Sequence, residues 1–210
     1  EIDYSEDSIT VNNIIENKSL NFLKAIEQLP VELSFDKEDS EIFIPTGLNY
    51  SWEVGQPNKP YLYNVADNPG KSWITDINNF NKANEESYLY IGCFNPTILN
   101  KNCEMAFLMA YNTEFGTDGF WLEYSYNGED WYKYGSSLEG YNWYDPVNQL
   151  EVWDGNRLNW QVASIPLNSF YGDSRPFIFF RYAFQSNEYI QLEGIAIDNF
   201  RFNNDLTAII

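Results

Sequence analysis

Turn-forming residues recur at short intervals from residue 31 onward and divide the chain into short strand-like stretches. The clearest stretches are rich in β-branched and aromatic residues: YLYIG, EMAFLMAYN, GFWLEYSY, WQVASIPL, PFIFFRYAF and GIAIDNFRF. In EMAFLMAYN and PFIFFRYAF both alternating faces are largely apolar, which is typical of central strands covered on both sides. The pattern predicts an all-β fold, a two-sheet antiparallel β-sandwich of the jelly-roll type.

The stretch GFWLEYSYNGEDW predicts a β-hairpin. Asn127-Gly128 is a strong short-range hairpin signal, and strict alternation precedes it. The alternation puts Phe120, Leu122, Tyr124 and Tyr126 on one face, and Trp121, Glu123 and Ser125 on the other.

The first 31 residues differ in character from the rest. They begin with an acidic, turn-like stretch, and Leu20, Leu23, Ile26 and Glu27 then follow at helical spacing until Pro30. We therefore expect residues 1–31 to be a linker or a short helix, residues 32–204 a β-sandwich domain and residues 205–210 a tail. The first segment either packs on the domain or belongs to the junction with a preceding module of a longer chain.

Charge and composition exclude several classes of function. The 210 residues carry 31 acidic and 12 basic side chains, a formal charge of -19, which disfavours nucleic acid as a partner. The chain contains no His, so a Ser-His-Asp hydrolase, a Cys-His protease and most zinc enzymes are disfavoured. No apolar run is long enough to cross a membrane. A glycosidase needs two carboxylates flanking a cleft, and no particular pair among the acidic residues is singled out by the sequence.

Cys93 and Cys103 lie at the ends of a segment that we expect to join two strands. The spacing suits a disulfide in an oxidising compartment, and it suits two free thiols equally well.

The order of several motifs resembles that of a MAM-like jelly-roll module found in secreted and cell-surface bacterial proteins. The motifs cover roughly residues 33 to 203 and read SWEVGQPN, KSWITDINNFNKANEESYLYIGCFN, DGFWLEYSYNGEDWYKYG, YNWYD, LNWQVASIPL, FIFFRYAFQSN and EGIAIDNFRF. The resemblance implies an extracellular, non-catalytic module, often with a structural calcium ion. Such modules occur in large adhesins and in the C-terminal parts of secreted peptidases.

Asp198 is the leading candidate for a metal ligand, because it shares strand parity with Ala196, Phe200 and Phe202, and a charge on an apolar face must be paired or bound. The resemblance implies that Asp36 and Asp39 complete a calcium site with Asp198; the alternative is that Arg181 neutralises Asp198.

A second acidic turn contains Glu114 and Asp118. It is either a solvated loop or the site of a second cation.

A group of aromatic residues follows the hairpin in turn-rich sequence, where side chains often reach the surface. Its members are Trp131, Tyr132, Tyr134, Tyr141, Trp143 and Tyr144. Sugar rings stack on such aromatics, so we expect either a binding surface for a polysaccharide or a surface glycoprotein, or a set of rings that covers the edge of the sandwich.

Together with the resemblance, the sequence predicts a secreted or cell-surface binding and adhesion module that belongs to a larger multidomain chain. The alternatives are a structural spacer in an adhesin and an accessory domain of a secreted peptidase or glycoside hydrolase.

Overall fold

Twelve β-strands and two short 3-10 helices make up the regular structure in a computed structural model that describes residues 25–36, 42–67, 69–145 and 150–204. The 3-10 helices are Pro96–Ile98 and Asn168–Phe170. The strands are β1 Ala25–Ile26, β2 Val31–Leu33, β3 Ile44–Leu48, β4 Trp52–Gly55, β5 Ser72–Thr75, β6 Glu86–Phe94, β7 Glu104–Asn112, β8 Gly119–Ser125, β9 Tyr132–Lys133, β10 Asn156–Pro166, β11 Ile178–Gln185 and β12 Gly194–Asn203.

These strands form two six-stranded sheets, which confirms the predicted β-sandwich. The first sheet has the order β1-β6-β11-β8-β9, with β3 also paired to β6. The second sheet has the order β10-β7-β12-β5-β4, with β2 also paired to β12. All pairings are antiparallel except that of β1 with β6. The strands β7 and β11 are central, as their two apolar faces predict.

The sheets pack face to face because alternate residues of the long strands are apolar and point inward. In β11 the inward residues are Phe180, Tyr182 and Phe184, and in β7 they include Phe107 and Tyr111; all five are buried. Edge-to-face ring contacts recur throughout this core, for example between Phe107 and Tyr182, whose centroids lie 5.1 Å apart. Much of the aromatic content of the chain is therefore explained by the core.

The predicted hairpin forms between β8 and β9. Phe120 and Leu122 are fully buried, as the alternation requires. The Asn127 side chain holds the turn, because its Oδ1 accepts hydrogen bonds from the backbone N–H groups of Glu129 and Asp130, both at 2.9 Å.

The structure corrects one detail of the N-terminal prediction. Residues 25 and 26 form β1, which pairs with Cys93 and Phe94, so the predicted helix does not reach Ile26. The earlier helical positions, including Leu20 and Leu23, lie outside the described residues, and so does the tail at 205–210. The domain boundaries stay predictions.

Cys93 and Cys103 are free thiols, so the disulfide alternative is wrong. Cys93 packs with Tyr90 and Phe179 on the outer side of the first sheet, whereas Cys103 belongs to the core between the sheets. Side chains on opposite sides of a sheet cannot meet the geometry of a disulfide. Burial raises the pKa of Cys93 to about 11 and that of Cys103 to about 12, so both remain protonated and unreactive.

Candidate functional site

The outer face of the first sheet, which points away from the second sheet, carries a regular array of aromatic and charged side chains. The strand register places them in two adjacent rows. One row reads Ile44, Tyr90, Arg181, Glu123 and Lys133, and the next reads Thr46, Tyr88, Ala183 and Trp121. We use the term outer-face array for six residues: Tyr88, Tyr90, Trp121, Glu123, Trp131 and Arg181.

An irregularity in the β6–β11 ladder sets the direction of Arg181. Phe180 pairs with Gly92, and the next residue, Arg181, pairs with Tyr90, so β6 has one extra residue at this point. Such a bulge re-aims the side chains beside it. Phe180 packs in the core, while Arg181 and Tyr90 both face outward.

Arg181 is the centre of the array. Its guanidinium carbon lies 3.7 Å from the centroid of the Tyr88 ring and 4.0 Å from that of Trp131. Its Nε donates to Glu123 Oε2 at 2.7 Å, and its Nη1 donates to the Tyr90 hydroxyl at 3.1 Å. Arg181 is only 9% exposed, so this ion pair is shielded from water, where charge-assisted hydrogen bonds are strong.

In the outer-face array Tyr90 is buried, whereas the rings of Tyr88, Trp121 and Trp131 are half-buried and fixed by hydrogen bonds. Trp121 Nε1 donates to Glu123 Oε1 at 2.7 Å, and Trp131 Nε1 donates to the Gly128 carbonyl at 3.0 Å. The Tyr88 hydroxyl donates to Glu86 at 2.8 Å. Burial is the main cause, and this hydrogen bond the second, that raises the pKa of Tyr88 to about 12. The array therefore presents uncharged rings in set orientations.

This arrangement is suited to binding. Both oxygens of Glu123 accept hydrogen bonds, from Trp121 and Arg181, and these bonds hold the carboxylate in one orientation. Fixed aromatic faces beside hydrogen-bonding groups match the two sides of a sugar, its C–H face and its hydroxyls.

The aromatic residues predicted to bind ligand are divided among three places. Trp131 belongs to the outer-face array. Tyr141 is 63% exposed and lies beside Ser164 of β10, in the second sheet. Tyr134 donates to the Pro166 carbonyl at 2.7 Å and packs on Phe170. For Trp143 and Tyr144 the prediction of a surface is wrong, because both rings are buried in the core against Trp153.

Sequence reasoning missed five members of the array: Tyr88, Tyr90, Trp121, Glu123 and Arg181. One signal was present, since the hairpin alternation already placed Trp121 and Glu123 on the face opposite the core. The alternative in which Arg181 neutralises Asp198 is wrong: Arg181 binds Glu123 in the first sheet, and Asp198 lies on β12 of the second.

The acidic residues predicted to bind calcium come together in part. Asp198 is buried, and its two oxygens accept from the backbone N–H groups of Ala66 at 3.0 Å and Asn199 at 2.8 Å. Asp36 accepts from the Lys71 N–H at 2.7 Å, and Asp67 accepts from the Asn199 side chain at 2.6 Å.

These contacts bring the carboxylates of Asp36, Asp67 and Asp198 to the backbone of Ala66, Asp67 and Lys71. Burial, followed by the charges of Asp36 and Asp67, raises the pKa of Asp198 to about 7. Asp39 lies outside the described residues. Within the described ranges, no three His, Cys, Asp or Glu side chains are close enough to form a metal cluster.

Glu114 and Asp118 both bind Asn187. Glu114 accepts from the Asn187 side chain at 2.6 Å, and Asp118 Oδ1 accepts from its backbone N–H at 2.9 Å. Asp118 is fully buried, and burial raises its pKa to about 6. The turn is thus tied to the loop after β11, and a second cation here stays a prediction.

Comparison with known proteins shows the fold. No family model and no curated protein matches the sequence, so the MAM-like assignment stays a prediction. A carbohydrate-binding module solved with beta-1,4-galactotriose aligns with a TM-score of 0.46 and 11% identity, over 78% of this chain and 88% of that one. The K1 cleaved adhesin domain of Lys-gingipain from Porphyromonas gingivalis W83 aligns with a TM-score of 0.44 and 11% identity, over 84% of this chain and 99% of that one.

The glycoside hydrolase domain of Endo-D from Streptococcus pneumoniae R6 aligns with a TM-score of 0.50 and 8% identity. The alignment covers 86% of this chain and 28% of that one. At 8% identity this last alignment shows a similar fold and nothing finer. Among the described residues, no helix is long and apolar enough to span a membrane.

Proposed function

We propose that the protein is a non-catalytic, extracellular binding and adhesion module whose outer-face array holds a polysaccharide or the glycan of a surface glycoprotein. The observation that carries this proposal is the guanidinium of Arg181 between the Tyr88 and Trp131 rings. The outer face presents aromatic rings that are held by hydrogen bonds and packed around the Arg181–Glu123 ion pair. Such preorganisation lowers the entropy lost when a ligand binds.

Trp121→Ala tests the array directly. We expect this variant to bind its polysaccharide about tenfold more weakly, because one aromatic stacking surface is lost. Isothermal titration against soluble galactan, xylan, mannan and β-glucan, in the full chain, measures the effect.

The matched control for this variant is Tyr189→Ala, which removes an aromatic ring that is 79% exposed in a loop outside the array. Equal affinity of both variants and the wild type would remove the array from the binding site.

A second candidate function is a structural spacer within a larger adhesin. The burial of Trp143 and Tyr144 favours it, because these rings support the core and present no surface. The two functions differ in the titration above, since a spacer binds none of the polymers. An accessory role beside a catalytic region of a longer chain is compatible with either.

We further propose that a calcium ion is held by Asp198 and Asp36 with oxygen atoms of the surrounding loop. The support is a buried carboxylate, Asp198, that has no ion-pair partner within the described residues and has two other carboxylates nearby. Calcium prefers such hard oxygen ligands, and an ion here would offset the repulsion among them.

Calcium is therefore expected to raise the melting temperature, by roughly 5 °C at a concentration far above its dissociation constant. Burial raises the pKa of Asp198 to about 7 in the folded protein, whereas the pKa of Asp in an unfolded chain is about 4. Without metal, the contribution of Asp198 to stability therefore falls as the pH rises from about 4 to 7. Calcium needs the ionised form, so its stabilising effect should be larger at pH 8 than at pH 5.5.

Thermal melts in EDTA and in calcium, at both pH values, measure this. In Asp198→Asn the difference between the two melts should vanish. If the variant kept the same difference as the wild type, Asp198 would not be a ligand.

A further inference from the structure

A groove runs along β10, the edge strand of the second sheet, and shares no residue with the outer-face array. It consists of two adjoining clefts of about 840 Å³ and about 450 Å³, and Arg157 and Gln161 line both. Clefts of this size are typical of ligand sites.

The groove owes its shape to an irregularity in β10. Arg157 pairs with Tyr111 and Gln161 pairs with Met109, so four residues of β10 lie opposite only two of β7. The extra residues bend the strand and redirect its side chains.

Contacts with neighbouring residues of the domain hold the bend in place. Leu158 and Trp160, which lie inside it, pack on the apolar cluster that contains Leu62, and Trp160 Nε1 donates to the Asn64 carbonyl at 3.3 Å. Arg157 and Gln161, at the two ends of the bend, are joined by a hydrogen bond of 2.9 Å from Nη1 to Oε1. The two polar side chains are therefore fixed at the centre of the groove.

An exposed aromatic ring stands at each end of the groove. Phe115, which is 57% exposed, lies beside Gly155, and Tyr141, which is 63% exposed, pairs with Ser164. On β7 the partner of Ser164 is Ala106, and the partner of Asn156, the residue after Gly155, is Asn112; these partners are six residues apart, which is roughly 20 Å at ~3.3 Å per residue. This span suits a chain of several sugar units better than a single sugar.

The lining between the rings is polar and mainly uncharged or acidic. Its amide and hydroxyl groups both donate and accept hydrogen bonds, as sugar hydroxyls do. They belong to Asn142, Asn156, Asn159, Gln161 and Ser164. The carboxylates Glu104, Asp145 and Asp154 also line the groove, and Arg157 is the one cation among the described lining residues, so an anionic polymer would be repelled.

A peptide strand is a poor fit to this edge of the sheet. Such a strand would need the free backbone groups of β10. The Val162 carbonyl accepts from the Asn142 side chain at 2.8 Å, and Ser164 exchanges two backbone hydrogen bonds with Tyr141, at 2.8 and 3.0 Å. The backbone groups of Val162 and Ser164 that a peptide strand would need are therefore already hydrogen-bonded.

We propose that this groove is a second binding site, for an uncharged, extended polysaccharide chain that stacks on Phe115 and Tyr141 and bonds to Arg157 and Gln161. The proposal goes beyond the outer-face array and does not depend on it.

The test uses the full chain in a Trp121→Ala background, so that the outer-face array is weakened. Titration with soluble galactan, xylan, mannan and β-glucan should show a remaining site, and adding Tyr141→Ala or Phe115→Ala should weaken it about tenfold. Adding Leu138→Ala, a control at a residue that is 92% exposed and outside the groove, should leave it unchanged. Affinity should increase with oligosaccharide length until the chain reaches both rings.

Each result has a distinct meaning. If Trp121→Ala alone removes all binding, the groove proposal is overturned and the array stands. If Tyr141→Ala removes binding and Trp121→Ala does not, the array fails and the groove stands. Binding only to polygalacturonate or to a basic peptide would overturn the assignment to uncharged polysaccharide, and so would a lack of binding to every neutral polymer.

Discussion

Replacing Arg181 by methionine should lower the free energy of unfolding by about 3 to 5 kcal/mol, the usual effect of breaking a buried ion pair from one side. The variant leaves Glu123 with one oxygen unpaired in a shielded position and removes the donor to the Tyr90 hydroxyl. The Tyr88 and Trp131 rings also lose the group between them, so binding at the outer-face array should weaken together with stability. Urea unfolding monitored by tryptophan fluorescence measures the first effect, and titration measures the second.

Arg175→Met is a close control for this change. Arg175 also lies 3.7 Å from an aromatic centroid, that of Tyr126, and also bonds to a carboxylate, that of Asp173, at 2.7 Å. Its side chain is 51% exposed, however, so water replaces the lost contacts and the cost should stay below about 1 kcal/mol. Similar losses for the two variants would show that burial adds nothing to the Arg181 pair.

Trp143→Ala should cost about 3 to 5 kcal/mol, because it removes a fully buried indole from a well-packed core. The ring of Trp143 lies 4.7 Å from that of Trp153 and 6.0 Å from that of Phe107, centroid to centroid. Its Nε1 also donates to the Tyr134 carbonyl at 3.2 Å. Thermal and urea unfolding measure the loss.

Tyr141→Ala, two residues away, provides the contrast. Tyr141 is largely exposed, and its substitution should change stability by no more than about 0.5 kcal/mol. A small loss for Trp143→Ala would mean that the core closes around the missing ring, and equal losses for both variants would contradict the burial seen here.

The strands could be predicted because period-two alternation is a local property of sequence. EMAFLMAYN corresponds to β7 without a shift, and GFWLEYSY differs from β8 by a single residue. The faces of the hairpin followed from the same rule. The sheet to which each strand belongs depends on contacts between distant parts of the chain. The sequence therefore left open an ion pair between Arg181 and Asp198, which lie in different sheets.

The aromatic loop could not be read in this way, because it has no repeating period. Asn142 and Tyr144 have positive φ angles, 48° and 52°, which reverse the local direction of the chain. Consequently Trp143 and Tyr144 point into the core, while Tyr141 remains outside. A bulky residue with φ above zero leaves no mark in the sequence, so the burial of this segment became visible only in three dimensions.

The cations in the row across the first sheet have a consequence for the conditions under which the protein works. Arg181 is matched by Glu123, and Lys133 donates to the carbonyl groups of Leu150 and Glu151 at 2.7 and 2.8 Å. An uncharged glycan offers neither cation a charge to attract over a distance, so dissolved salt has little attraction to screen. An attachment formed at this face would hold equally well in fresh water and in sea water.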